Sequence, residues 1–239
     1  MLSPSARVFL GYWLALLLPP LIIWLSSASL FPLIELNGVV AQLAFAITMT
    51  GTRPWGLLTT VVVLTLACCL LPATKRGKLL SCVLIAVALN VVLSHLLKAL
   101  FAEPRPYVEY LAQAGLLDLT QFYAFDRQGR LAILQQLQPA VLPLQLAPDI
   151  LRHWQAETGY AFPSGHTLFS CSLSLSCSLC LLPHNRWLPL LLLLWAWLVG
   201  LSRLLLGMHW SQDILASAVL AGVLVMVSYI VTLRWLGKE

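Results

Sequence analysis

The residues best suited to chemistry in this chain are two histidines, His166 and His209, each at the edge of a long apolar run. Asp213 follows His209 by four residues, so the two side chains share one face if a helix begins there. A carboxylate in that position holds the proton on one imidazole nitrogen and leaves the other nitrogen free as a nucleophile or base. The alternative is a helix-capping pair, and for an isolated pair that interpretation is favoured.

The other histidine follows Pro163, Ser164 and Gly165, a sequence typical of a helix start. Ser164 suits a cap, and Gly165 lets a ligand approach the backbone closely. The free N–H groups of a helix N-terminus favour an anion, notably phosphate, and His166 would project into the same place. An ordinary helix N-terminus is the alternative here.

Three basic residues stand near the same apolar edges: Lys98, Arg105 and Arg203. Pro104 and Pro106 disfavour helix around Arg105 and present it on an extended segment. A guanidinium binds phosphate through paired hydrogen bonds and a lysine adds a point charge, although Lys98 alone fits a side chain extending to water from a membrane edge. Three cations match the three non-bridging oxygens of a phosphoryl group. No carboxylate cluster suited to Mg²⁺ accompanies them, so the sequence predicts phosphoryl chemistry without a metal or another cofactor.

The composition indicates which elements must position these groups. The 239 residues include 14 Lys and Arg and 9 Asp and Glu, whereas an ordinary soluble protein of this length carries roughly 60 charged residues. Hydrophobic residues make up 60% of the chain, and the mean hydropathy is +0.88. This composition excludes a soluble globular enzyme, a disordered chain and a disulfide-stapled secreted domain. It predicts an integral membrane protein.

Charge-free apolar runs predict an all-α, polytopic membrane protein: a bundle of six transmembrane helices, with a partly helical loop domain between spans three and four. That loop covers residues 101–162, and residues 1–239 are expected to form a single domain. The first run is expected to be a span rather than a cleaved signal peptide, because it is long and contains a proline pair. Val39–Met49 is either a separate interfacial helix or the start of the second span. The spans are predicted at about 8–27, 55–73, 79–100, 164–183, 187–204 and 213–233.

Basic residues in the short loops predict the orientation of the spans. Arg53 lies on one predicted side, and seven basic residues lie on the other, so both termini are expected in the cytoplasm and residues 101–162 outside. The seven are Arg7, Lys75, Arg76, Lys78, Arg186, Arg234 and Lys238.

Together the three groups resemble the signature of the type 2 phosphatidic acid phosphatase superfamily. The matching positions are Lys98-x6-Arg105-Pro106, then Pro163-Ser164-Gly165-His166, then Ser202-Arg203-x5-His209-x3-Asp213. Residues 153–167 and 202–210 look like the bacterial phosphatidylglycerophosphatase B branch of that superfamily. The resemblance covers nearly the whole chain and is least specific over the first 50 residues and over residues 108–150.

The resemblance implies a role for each matching residue. His209 would attack phosphorus and form a phosphohistidine, Asp213 would orient His209, and His166 would protonate the leaving oxygen and then activate water. Glu157, nine residues before His166, is a candidate modulator, although a solvated loop charge is the favoured interpretation. The phosphoryl oxygens would be bound by Lys98, Arg105, Ser164, Gly165 and Arg203.

The resemblance also implies a function: an integral lipid phosphatase of the bacterial inner membrane with its active site facing the periplasm. Expected substrates are undecaprenyl pyrophosphate, phosphatidylglycerophosphate and phosphatidic acid, with the bilayer as partner and with neither nucleic acid nor an obligate protein partner. The alternatives are a vanadate-dependent haloperoxidase of the same superfamily and a non-enzymatic lipid binder or transporter. The six spans argue against the first, and the complete set of two histidines and Asp213 argues against the second.

Overall fold

The computed structural model describes residues 4–237 except 138–141 and 143; Lys238, counted above for orientation, lies outside the described residues. The described residues form eleven α-helices and no strand. In chain order these are α1 (Pro4–Leu25), α2 (Val39–Met49), α3 (Trp55–Leu70), α4 (Ala73–Phe101), α5 (Pro106–Gln113), α6 (Leu119–Ala124), α7 (Arg127–Gln136), α8 (Pro148–Ala156), α9 (Gly165–Leu181), α10 (Trp187–Leu205) and α11 (Ser211–Leu236).

Four of the described helices, α1, α4, α10 and α11, are long and apolar enough to cross a membrane. The predicted all-helical membrane fold is therefore confirmed. The predicted spans at 55–73 and 164–183 fall on α3 and α9, which are apolar but have 16 and 17 residues. Because a helix needs about 20 residues to cross the hydrocarbon core without help from its flanks, the count of six spans stays a prediction.

Residues Val39–Met49 form a helix of their own, which decides between the two alternatives that the sequence left open. A turn containing Gly51 and Pro54 separates α2 from α3. Pro54 is the N-cap residue of α3. It has no backbone N–H, so it cannot donate the hydrogen bond that would continue a helix from α2. Helix α2 packs against α10 and α8 and so connects the bundle to the loop domain.

Helix α9 lies at the centre of the bundle and packs against α1, α3, α4, α10 and α11. A helix surrounded in this way needs small side chains on every face so that its neighbours can approach closely. Alternate serines along α9 meet that need, and all of them are buried, as a packing role predicts: Ser170, Ser172, Ser174, Ser176 and Ser178.

The segment between α4 and α9 docks on the end of the bundle where α4 finishes and α9 begins. Trp154 of α8 and Tyr107 of α5 stack with ring centroids 4.6 Å apart, and both side chains are fully buried. The Trp154 indole N–H donates to Leu206 O at 3.0 Å, and the Tyr107 backbone N–H donates to Gly207 O at 2.9 Å. The loop domain is thereby attached to the turn between α10 and α11, where the second predicted histidine lies.

Candidate active site

His209 lies in the short turn between α10 and α11, and Gly207 makes that turn. Gly207 has a φ of +68°, and a Cβ added to it would lie 2.7 Å from the Phe31 ring, so glycine is the residue that fits. The Met208 backbone N–H donates to Arg203 O at 2.9 Å. The turn therefore folds back on the last turn of α10 and places His209 beside the end of the helix that carries Arg203.

His209 and Asp213 are both buried, and they contact each other as the spacing predicted. His209 Nδ1 lies 3.4 Å from Asp213 Oδ2. The same carboxylate oxygen accepts the Trp210 backbone N–H at 2.9 Å and so caps the start of α11. Asp213 thus caps α11, as one interpretation expected, and lies next to His209, as the other requires; its role in orienting His209 stays a prediction. Its partnership with Nδ1 leaves Nε2 as the imidazole nitrogen directed toward the rest of the site.

Arg105 occupies the extended segment that its flanking prolines predicted, with φ −79° and ψ 147°. Its Nε donates to Gly159 O at 2.7 Å, and its Nη1 donates to Met208 O at 2.9 Å. Nη1 also lies 3.4 Å from His209 Nε2. A fixed guanidinium consequently stands beside the free nitrogen of His209.

Arg203 is fully buried and makes two short contacts with the loop domain. Its Nη2 donates to Glu157 Oε2 at 2.7 Å, and its Nη1 donates to His153 Nε2 at 2.7 Å. An arginine cannot accept, so Nε2 of His153 carries the lone pair and the ring is neutral. Burial, and then the charges of Arg203 and Arg105, lower the pKa of His153 to about 4 against the opposing pull of Glu157. Sequence reasoning missed His153; its signal was the four-residue spacing to Glu157.

Glu157 lies at the centre of the site, so the expectation of a solvated loop charge is wrong. Its side chain is 22% exposed, and Oε2 lies 3.3 Å from Arg105 Nη2 as well as 2.7 Å from Arg203 Nη2. Oε1 lies 3.8 Å from His166 Nε2. Burial raises the pKa of Glu157, but Arg203 and then His166 and Arg105 outweigh burial and hold that pKa well below its usual range. Its two arginine partners come from distant parts of the chain, which is why local sequence did not reveal them.

His166 sits in the first turn of α9, against the turn between α2 and α3. Its Nε2 lies 2.8 Å from Thr52 Oγ1, and a Cβ added at Gly51 would lie 3.0 Å from its ring. Thr52 and Gly51 gave no signal in the sequence, because neither belongs to a recognisable pattern. The contact nevertheless shows that the α2–α3 turn forms one wall of the site.

The remaining predicted phosphate ligands border this cluster. Lys98 Nζ donates to Tyr160 O at 2.6 Å, so its ammonium is turned to the loop backbone. Ser164 Oγ caps α9 by accepting from Thr167 N at 3.4 Å and Thr167 Oγ1 at 3.0 Å. A Cβ added at Gly165 would meet, among the described residues, Ser94 Oγ alone, at 4.0 Å. The space over the start of α9 is thus open enough for a ligand to reach the backbone.

The site therefore combines two guanidinium groups, one bridging carboxylate and two imidazoles. A phosphoryl group has the negative charge and the multiple acceptor oxygens that two such guanidinium groups bind, and the imidazoles can act as nucleophile and acid. In the described ranges no group of three or more His, Cys, Asp or Glu side chains is arranged to hold a metal ion.

The profile of the PAP2 superfamily matches residues 79–236, which contain every predicted site residue. The chain belongs to the PAP2 superfamily. It is 34% identical to phosphatidylglycerophosphatase B of Escherichia coli (strain K12) over 244 residues, 100% of this chain and 91% of that protein. It is also 34% identical over 222 residues to phosphatidylglycerophosphatase B of Haemophilus influenzae, covering 88% and 89% of the two chains. A shorter match, 38% over 64 residues and 27% of this chain, is to lipid A 4'-phosphatase of Bacteroides thetaiotaomicron.

These relatives confirm the family that the motifs predicted. They also decide between the enzyme and the non-enzymatic lipid binder or transporter in favour of the enzyme. This PAP2 protein is a membrane phosphatase that acts on lipid phosphates.

His209 is the predicted nucleophile, and its surroundings give this PAP2 phosphatase an expected pH dependence. Burial, and then the charges of Arg105, Arg203 and Lys98, lower the pKa of His209 well below 6.5. A histidine must be neutral to attack, and a lowered pKa keeps it neutral at lower pH. We therefore expect kcat/KM to hold its plateau as the pH falls through 6.5 and to drop only well below that value.

Phosphate release from a lipid phosphate in detergent, with the ionisation of the substrate divided out, measures this profile. An acid limb centred near 6.5, the value of an unperturbed histidine, would contradict the prediction.

Proposed function

We propose that this protein hydrolyses lipid phosphomonoesters and pyrophosphates through a phosphohistidine on His209, without a metal ion. The observation that supports this most directly is the position of Glu157. One carboxylate bridges Arg105 and Arg203 within reach of His166, which is where a phosphoryl group bound by the same cations would lie. In this proposal, the Glu157 carboxylate occupies, in the absence of substrate, the position that phosphoryl oxygens take when substrate is bound.

The proposed first step is attack on phosphorus by His209 Nε2, which faces away from Asp213. The P–N bond forms as the P–O bond to the lipid breaks, and Asp213 stabilises the positive charge that develops on the imidazole. His166 then lies on the leaving-group side and donates a proton to the departing oxygen. In the second step His166 takes a proton from water, which attacks the phosphohistidine and releases phosphate.

The proposed binding of the phosphoryl oxygens uses charges that are already fixed. Arg105 donates to Gly159 O, and Arg203 donates to Glu157. Lys98 donates to the next carbonyl after Gly159, Tyr160 O. The open backbone at Gly165 adds an N–H donor at the start of α9, whereas the Ser164 N–H already donates to Ser217 Oγ at 2.8 Å. Cations that need no rearrangement stabilise the transition state at little reorganisation cost.

A lipid substrate reaches the site from the side of the bundle in this proposal. A cleft of about 620 Å³ between α3 and α4 is lined by apolar side chains such as Leu64, Val83 and Phe169, and it ends at Gly51 beside His166. Acyl or prenyl chains fit this lining while the head group meets His166. The polar contacts proposed for the site involve the phosphate and not the acyl or prenyl chain. This supports a broad range of lipid substrates: phosphatidylglycerophosphate, phosphatidic acid and undecaprenyl pyrophosphate.

We place the protein in the bacterial inner membrane with six spans, both termini in the cytoplasm and the site in the periplasm. The bias of basic residues supports this orientation. Exposed cysteines give the test in intact cells. In a background in which the exposed Cys69 is serine, Gln128→Cys should react with a membrane-impermeant maleimide, and Thr74→Cys should react only after lysis. The reverse pattern would overturn the orientation.

Alkaline-quenched labelling with a ³²P lipid phosphate tests the covalent step. His209→Ala should give no phosphoenzyme, and His166→Ala should lose more rate on a phosphomonoester than on a pyrophosphate, whose departing phosphate needs a proton less. His184→Ala, an exposed histidine, should match wild type. Activity should survive excess EDTA. A labelled His209→Ala protein, or activity that EDTA removes and Mg²⁺ restores, would contradict the mechanism.

Glu157 serves in this proposal as a modulator that competes with the phosphoryl group for both arginines. Glu157→Gln keeps the shape and removes the charge, so the inhibition constant of inorganic phosphate should fall roughly three- to tenfold. Asp149→Asn is the control, because it removes the same charge at an exposed position. A rise in that constant would mean that Glu157 holds the arginines in place rather than competing for them.

A further inference from the structure

A row of three hydrogen bonds ties the segment that follows Glu157 to three basic side chains. Three consecutive backbone carbonyls each accept from a different cation, and two of those cations are predicted phosphate ligands. The third, Arg130 of α7, matches no position of the family signature. The pairs are Arg130 Nη1 with Thr158 O at 3.3 Å, Arg105 Nε with Gly159 O at 2.7 Å and Lys98 Nζ with Tyr160 O at 2.6 Å.

Two aromatic rings fix the guanidinium of Arg130. Its Cζ lies 4.9 Å from the ring centroid of Tyr123 and 5.2 Å from that of Tyr160. The two rings stack on each other at 4.8 Å with an angle of 11°. Arg130 Nη2 also donates to Tyr123 O at 2.9 Å. A guanidinium against aromatic faces, with both terminal nitrogens bonded, has one preferred position.

Tyr123 also contacts the main chain of Arg105. Its hydroxyl accepts the Arg105 backbone N–H at 3.0 Å. Tyr123 thus holds the main chain of Arg105. Gly159 O holds its side chain, and the neighbouring carbonyl, Thr158 O, accepts from Arg130. Both ends of Arg105 depend on groups in direct or adjacent contact with Arg130.

The local sequence explains why Tyr123 and Arg130 come together. Asp118 accepts from Gln121 N at 2.7 Å and caps α6, and Asp126 accepts from Gly129 N at 2.8 Å and caps α7. The two short helices are joined by two residues, so Arg130 in the first turn of α7 returns to Tyr123 in the last turn of α6. These caps need no contact with the bundle to form.

We infer that Arg130 is a positioning residue for phosphate binding, acting through residues 158–160 and Tyr123 on Lys98 and Arg105. The inference rests on the proposed phosphate site. Lysine and arginine side chains are flexible, and cations that are already in position bind an anion without the cost of ordering them. In this scheme Arg130 never contacts the substrate.

The test measures the inhibition constant of inorganic phosphate, which reports the cations and ignores the lipid chain. Arg130→Met should raise this constant roughly tenfold, the effect of losing one hydrogen bond to a charged group. Arg130→Lys should recover part of the loss, because it keeps the charge and one donor. Tyr123→Phe keeps the stacked ring and removes only the bond to Arg105, so it should raise the constant several-fold.

Arg127→Met is the matched control. Arg127 lies on the same helix, is exposed and donates to Ala156 O at 3.3 Å, outside the row of carbonyls. Its loss removes the same charge and should leave the constant unchanged. A wild-type constant in Arg130→Met, or an equal rise in Arg127→Met, would overturn the inference; so would an Arg130→Lys protein that folds and binds no better than Arg130→Met.

The shift in unfolding temperature on adding phosphate gives a second reading that requires no hydrolysis. A purely structural role for Arg130 would lower the unfolding temperature without changing that shift, and would also overturn the inference. If wild type binds phosphate in an Arg130-dependent way but hydrolyses no lipid phosphate, the proposed function fails and the inference stands.

Discussion

Two buried guanidinium groups impose the constraint on which the rest of the site depends. The side chains of Arg105 and Arg203 are 5% and 0% exposed. A charge removed from water must be compensated by an opposite charge or by oriented dipoles. The fold compensates both with Glu157, with the lone pair of His153 and with backbone carbonyls. Glu157 therefore occupies the position where the proposed phosphoryl group would bind.

The same cations affect the protonation of His209. Positive charge near His209 disfavours its protonated form, so the nitrogen that faces Arg105 keeps its lone pair. In the proposed mechanism, Asp213 on the other side of the ring offsets the positive charge that appears when that nitrogen forms a bond to phosphorus. The proposed nucleophile and the proposed phosphate-binding cations thus share one charge distribution.

The sequence was most informative where function restricts short stretches of chain. The residues from Pro163 to His166, the extended Arg105 and the pair of His209 and Asp213 were all predicted from types and spacing, because each depends on local backbone geometry. Helix α2 was left open between two alternatives, since apolar composition does not mark where one helix ends and the next begins.

What the sequence did not reveal depends on contacts between distant segments. Glu157 was expected to be a solvated loop charge, with a modulator as the alternative, because local sequence does not reveal its partners Arg105 and Arg203. Thr52 and Arg130 were missed for the same reason, whereas His153 had a local signal in its four-residue spacing to Glu157. Apolar runs fix helices and their order, but the docking of residues 101–162 on the bundle follows from side-chain packing that no local pattern encodes.

The contact between Arg105 and His209 joins residues 104 positions apart in the chain. During synthesis the arginine is made first, and His209, the nucleophile of the proposed mechanism, follows 104 residues later. A ribosome-bound intermediate that has finished α10 already contains Arg105, Arg203 and His166, but it lacks His209, the nucleophile of the proposed mechanism. In the proposed mechanism, the nascent chain therefore has no nucleophile until the turn between α10 and α11 has been made.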